Sequence, residues 1–139
     1  SGHENLYIAV DPSEVKSSGL AKIISGKSYE PWVSQEIERI LGSKKLDLVL
    51  SDMAPNITGV RIVDDSASRE LAEEALNTAF SYLAPGGCMV AKLFQGPEAQ
   101  SFMAETKECF LKTVLFKPAA SRSESREIFV VADGFKAGR

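Results

Sequence analysis

Apolar residues in this chain gather in short continuous runs, each cut off by a polar turn signal, and between several of these runs they recur at helical spacing. Leu6-Tyr7-Ile8-Ala9-Val10 is unbroken and stops at Asp11-Pro12, a carboxylate followed by a breaker, which predicts a strand. Leu20 to Ile24 reads as a second short strand, after a loop over Ser13 to Ser18, and Ser25-Gly26 closes it. From Ser28 or Glu30 the period changes. Trp32, Val33, Ile37, Ile40 and Leu41 share one helical face, Pro31 falls in the first turn where a missing N–H does no harm, and Gly42 ends the helix. Leu46 to Ser51 is again continuous and apolar, as expected of a strand buried on both faces in a parallel sheet. Pro55 and Asn56 forbid its continuation, so Asp52 stands at its carboxyl end.

Ile57 to Val63 reads as an irregular loop containing Gly59, and Asp64, Asp65 and Ser66 offer a helix cap. The longest helix is expected over about Ala67 to Leu83, with Leu71, Ala75, Leu76, Ala79, Phe80 and Leu83 inward, ending at Ala84-Pro85-Gly86-Gly87. Cys88 to Phe94 is another apolar strand, interrupted by Lys92, and Gln95-Gly96-Pro97 turns the chain. A helix over Glu98 to Phe110 follows, with Phe102, Met103 and Phe110 inward, then a strand over Thr113 to Phe116 ending at Lys117-Pro118. A Ser/Arg-rich loop from Ala119 to Ser125 leads to the last strand, Ile128 to Ala132.

Strand–helix alternation of this kind predicts an α/β fold, a mostly parallel sheet with helices on both faces. The last strand follows its predecessor with no intervening helix and is therefore expected to be antiparallel. A chain of 139 residues suits a single domain with a sizeable core, residues 1–4 reading as an engineered remnant or a disordered terminus. The apolar and charged fractions are those of an ordinary soluble protein; no apolar run approaches membrane-spanning length, and no signal peptide is recognisable. Cys88 and Cys109 lack metal-ligand spacing and read as buried thiols in a reducing compartment. The one histidine, His3, lies in the terminus, which argues against a His-based metal site or catalytic triad.

The net charge of −3 is unevenly divided: residues 107–139 hold seven Lys/Arg against four acids, so this segment is +3 and the remainder −6. A basic final third suits a phosphate-backbone partner on one face, or a solvated surface. Three ionisable residues stand at strand ends. Asp52 follows one strand, Lys92 sits inside the end of the next, and Glu127 opens the last. If the last strand is antiparallel, all three share one sheet edge. A lysine in a core strand needs partners or an escape to solvent, and Asp52 is either a turn cap or a site carboxylate.

Ser51-Asp52-Met53-Ala54-Pro55-Asn56, Lys92-Leu93-Phe94-Gln95-Gly96, Lys117-Pro118 and Ser121-Arg122-Ser123-Glu124-Ser125-Arg126-Glu127 occur together and in order. In these the chain resembles the FtsJ/RrmJ family of ribosomal RNA ribose 2′-O-methyltransferases, from about Asn5 to Asp133. The resemblance implies a Rossmann-like methyltransferase fold, S-adenosylmethionine as cofactor, and a Lys-Asp-Lys-Glu tetrad whose last three members match Asp52, Lys92 and Glu127. It implies cofactor contacts at Asp11 and Asp52 and makes Lys117, Arg122 and Arg126 candidates for RNA phosphates. The implied reaction is methyl transfer to a 2′-hydroxyl of large-subunit ribosomal RNA in the cytoplasm or an organelle, with ribosomal RNA or a ribosomal subunit as partner. The same fold could instead serve as a non-catalytic RNA-binding module, or act on transfer RNA or an mRNA cap.

Two departures carry structural expectations. The family's glycine-rich first motif and first lysine should precede Leu6, and neither is present; Ala84-Pro85-Gly86-Gly87 imitates the motif but follows a helix, the reverse of the order a cofactor loop needs. Lys27 stands where the family usually has a second acidic contact. Without its first strand, the sheet is expected either to pair the Leu6 and Leu46 strands directly or to leave a seam that a partner chain could cover.

Overall fold

A computed structural model gives the fold, and it describes residues 7–11, 21–25, 35, 38, 39, 41–43, 45–118 and 126–136. Six strands form one sheet: β1 (Tyr7–Asp11), β2 (Ala21–Ser25), β3 (Leu46–Ser51), β4 (Leu83–Phe94), β5 (Phe110–Phe116) and β6 (Glu127–Phe135), in the order β2-β1-β3-β4-β6-β5. Two helices, α1 (Arg61–Tyr82) and α2 (Pro97–Cys109), connect β3 to β4 and β4 to β5. The first four strands across the sheet are parallel, and β6 runs antiparallel to both neighbours, as its helix-free connection predicted. This is the expected Rossmann-like α/β architecture.

The seam is closed by β1 itself. Tyr7, Ile8 and Ala9 pair with Leu48, Val49 and Leu50, so the described sheet has no gap for a partner chain to cover. Direct pairing satisfies two rows of backbone donors and acceptors that would otherwise be left exposed.

Across β4 and β6, Met89, Ala91 and Leu93 lie opposite Ala132, Val130 and Ile128. Directly opposed residues point to the same side, and all six are buried in one cluster with Ala72, Leu76 and Ala79 of α1 and Ala99 and Phe102 of α2. That face is the core. The expected helix before Gly42 falls mostly outside the described residues. At its end, Gly42 has φ +60° and its N–H donates to Glu38 O.

Boundaries shift from the sequence reading at several elements, β6 running over Glu127–Phe135 instead of Ile128–Ala132, and three of the shifts are informative. Helix α1 starts at Arg61 rather than Ala67, because Asp64 caps from within the first turn. Its carboxylate accepts from Thr58 N at 2.9 Å, Thr58 Oγ1 at 2.8 Å and Gly59 N at 3.1 Å. Ile62 and Val63 face solvent there, so the hydrophobic period gave no sign of the first turn. Strand β4 starts at Leu83, but its register slips: Leu46 faces Leu83 and Leu48 faces Cys88. The expected turn residues are therefore looped out of the ladder, and Gly86 takes φ +84°. Phe110 is buried as expected, but it opens β5 instead of ending α2. Both cysteines are half-buried rather than buried, and neither is in a disulfide.

Candidate active site

The carboxyl edge of the sheet gathers the three ionisable residues. Ser51 pairs with Ala91, so Asp52 and Lys92 are the next residues on adjacent parallel strands. Lys92 lies opposite Phe129, and Phe94 lies opposite Glu127, which places Lys92, Phe94, Phe129 and Glu127 on one face with Glu127 diagonal to the lysine. Lys92 Nζ is 2.7 Å from Asp52 Oδ1 and 3.7 Å from Glu127 Oε2. The lysine side chain is only 15% exposed, against 61% for Asp52 and 42% for Glu127, so the cation is enclosed while its acids reach solvent. Burial presses the Lys92 pKa down and is the largest single influence. The hydrogen bonds and charges of Asp52 and then Glu127 together outweigh it, and the ammonium is held above the ordinary lysine value.

The walls around this cluster are tied down. Phe94 N–H donates to the buried Ser68 Oγ of α1 at 2.9 Å. Gln95 N–H donates to Arg126 O at 2.7 Å, and Arg126 Nη2 donates back to Gln95 O at 3.2 Å. The Arg126 guanidinium also pairs with Asp65 of α1 and lies 5.5 Å from the centre of the Phe94 ring. It thus clamps the end of β4 to the start of β6, one residue from Glu127. An open recess of about 290 Å³ lies beside the cluster, lined by Ala54, Pro55, Ile57, Asp64, Phe94, Arg126 and Glu127. The Asp64 carboxyl is held below the usual range, first by the backbone and hydroxyl donors of Thr58 and against the effect of burial, with further help from Gly59 N–H and the Arg126 charge.

The other candidates are dispersed. Asp11 ends β1, and since Ala9 pairs with Leu50 it continues toward the same edge as Asp52. Lys117 Nζ donates to Glu127 O at 3.4 Å. Arg126 donates to Asp65 and to Gln95 O. Arg122 and Lys27 lie outside the described residues. Among the described residues, no cluster of His, Cys, Asp and Glu could hold a metal ion, and no helix is long and apolar enough to cross a membrane. Asp65 is the residue the sequence reading misplaced, as a cap.

The model of the FtsJ-like methyltransferase family matches residues 4–135. The chain belongs to this family. Proteins named ribosomal RNA large subunit methyltransferase E are similar to it: that of Marinobacter nauticus is 39% identical over 135 residues, covering 97% of this chain and 65% of the relative. That of Coxiella burnetii is 39% identical over 138 residues, covering 96% and 65%. The chain thus spans about 65% of the length of these curated relatives. Among solved structures, one named as a ribosomal RNA methyltransferase from Plasmodium falciparum superposes with a TM-score of 0.82 at 26% identity, covering 99% of this chain and 75% of the other.

Proposed function

We propose that the chain is the catalytic part of an S-adenosylmethionine-dependent ribose 2′-O-methyltransferase acting on large-subunit ribosomal RNA. The observation that carries this reading is Lys92 held between Asp52 and Glu127 beside an open recess. The names of the 39% identical relatives supply the substrate class. On this reading the partner is ribosomal RNA within a ribosomal particle, and the protein works where ribosomes are assembled, in the cytoplasm or an organelle.

The residues at the carboxyl edge fit the cofactor. Asp11 and Asp52 end adjacent strands, and carboxylates at this edge of an open α/β sheet suit the hydroxyls of a bound ribose and a nearby positive charge. Asp11 would hold the adenosine part and Asp52 would lie closer to the sulfonium; when bound, the cofactor would supply the methyl group. Lys92 is an ammonium throughout the neutral range, so it donates a hydrogen bond to the ribose 2′-oxygen and aligns it instead of removing its proton at the outset. Asp52 and Glu127 fix the ammonium in that position, and the hydroxyl proton departs late in the transfer. Lys117, exposed beyond β5, would meet a backbone phosphate. The test is transfer of radiolabelled methyl from S-adenosylmethionine to large-subunit ribosomal RNA, with the label mapped to a ribose. The expected result is a single labelled 2′-position, and unlabelled RNA at saturating cofactor overturns the reading.

A further inference from the structure

The buried stripe of α1 changes character along the helix. It runs Asp64, Asp65 and Ser68 over the first turns, then Ala72, Ala75, Leu76 and Ala79. Spacings of three and four put these residues on one side of the helix. The apolar part packs into the core cluster. The polar part is buried as well, and buried carboxylates and hydroxyls are costly unless bonded.

Each of the three polar residues holds a segment that carries a member of the Lys92 cluster. Asp64 accepts from Thr58 N, Thr58 Oγ1 and Gly59 N, in the loop that leaves Asp52. Ser68 Oγ accepts from Phe94 N at 2.9 Å, two residues past Lys92. Asp65 pairs with the Arg126 guanidinium, one residue before Glu127. The reciprocal bonds between Arg126 and Gln95 then close the register in which Phe94 faces Glu127 and Lys92 faces Phe129. A Cβ on Gly96 would meet Asp65 Oδ2 at 3.1 Å, so the turn after β4 rests on the same carboxylate. Asp64 also lines the recess beside Glu127, but Asp65 and Ser68 do not.

We infer that Asp65 and Ser68 are positioning residues for methyl transfer, on which reading this inference rests: Asp65 sets Glu127 through Arg126, and Ser68 sets Lys92 through the Phe94 amide. Glu127 Oε2 stands 3.7 Å from Lys92 Nζ, close to the limit of an ion pair, so a small displacement at the start of β6 parts them. A misplacement of about 1 Å at a reacting centre costs roughly a hundredfold in rate.

The experiment compares kcat, and KM for S-adenosylmethionine and for large-subunit ribosomal RNA, in the parent, Asp65→Ala, Asp65→Asn, Ser68→Ala and Arg69→Met. In parallel, carbon-13 NMR of the lysine ε-carbons follows Lys92 through an alkaline titration, with Lys92→Met giving the assignment. Asp65→Ala should lower kcat about thirtyfold and Ser68→Ala about fivefold, with both KM values held within about twofold. Asp65→Asn keeps an oxygen for Arg126 Nη2 and should recover most of kcat. Arg69→Met breaks ion pairs away from these segments and should keep the parent kcat. In Asp65→Ala the Lys92 midpoint should fall, because Glu127 no longer holds the ammonium while burial still opposes it. A parent kcat in both alanine variants, a loss in Asp65→Ala that Asp65→Asn does not restore, or an unmoved Lys92 midpoint overturns the inference. Where Asp65→Ala does not fold, Ser68→Ala carries both measurements. Ribosomal RNA left unlabelled by the parent sinks the reaction alone; the titration needs no turnover and still decides whether α1 positions the cluster.

Discussion

Among the described residues, Arg69 and Lys92 are each ringed by acids, and one of these two rings stands beside an open recess. Arg69 of α1 bonds Glu73 at 2.8 Å, Glu98 at 3.4 Å and Glu105 at 2.9 Å, and it lies 5.7 Å from the centre of the Phe102 ring. Its planar fork reaches both helices, and its donors end on α1 and α2. The Glu105 side chain is 27% exposed and does not line the recess beside Lys92. Its carboxyl is pushed up, first by burial and then by Glu73, against the pull of Arg69. Lys92 has fewer partners, at the rim of the sheet, and both of its acids keep oxygen atoms toward solvent. The difference is topological. A charge cluster between packed helices joins them, whereas one at the open edge of a sheet can exchange part of its hydrogen bonding for a ligand's.

The comparison breaks most sharply at Lys92. Lys92→Ala is expected to lower methyl transfer by on the order of a thousandfold, the scale of a lost preorganised donor at a transition state, with only a modest fall in the thermal midpoint from the lost ion pair. A matching loss of stability would make the lysine a structural residue like Arg69. Asp65→Ala removes the acid beneath the Arg126 clamp and leaves a partly buried guanidinium unpaired; the expected cost is about 3 kcal/mol by urea denaturation. A cost near zero would show that the clamp holds nothing. Arg69→Met should cost about 1 kcal/mol, because the pairs it breaks are part-exposed, and should leave kcat for methyl transfer at the parent value.

Titration separates the sites further. Lys92 has its pKa raised by folding, so its stabilising contribution is fully present below about 10.5 and is lost as pH rises through the higher folded value. Lys92→Met should flatten that alkaline limb of the stability curve. Asp64 has its pKa lowered by folding, so its contribution is present above about 3.8 and is lost as pH falls through the lower folded value; Asp64→Asn should remove that acid limb. The smallest effect is expected at Cys88. Burial, with the Sγ–H bond to Asp133 at 3.2 Å, pushes the thiol up to about 11, so iodoacetamide should label it slowly at neutral pH. Asp133→Asn should quicken that labelling, as followed by mass spectrometry, and no change would remove Asp133 from the account.

Much of the fold was legible in local pattern. The strand at Leu46–Ser51 has its expected bounds, and α2 is displaced by one residue, because a continuous apolar run and an amphipathic period each report a local conformation. The start of α1 was not legible, since its first turn exposes Ile62 and Val63 and is fixed by a carboxylate reaching backwards. The motif residues Asp52, Lys92 and Glu127 could be singled out as strand-end anomalies, and their shared edge followed from an antiparallel last strand.

The amino-acid sequence by itself determined the order of strands and helices, the side of the sheet on which chemistry could gather, and the family. Tertiary structure alone decided which charges meet. Arg126, a candidate RNA contact, pairs with Asp65, a residue 61 positions away, and β1 closed onto β3 rather than leaving a seam. Local conformation depends on neighbours a few residues apart, which periodicity records. An ion pair between distant strands and helices depends on register and on what else is desolvated beside it, and no short-range pattern encodes either.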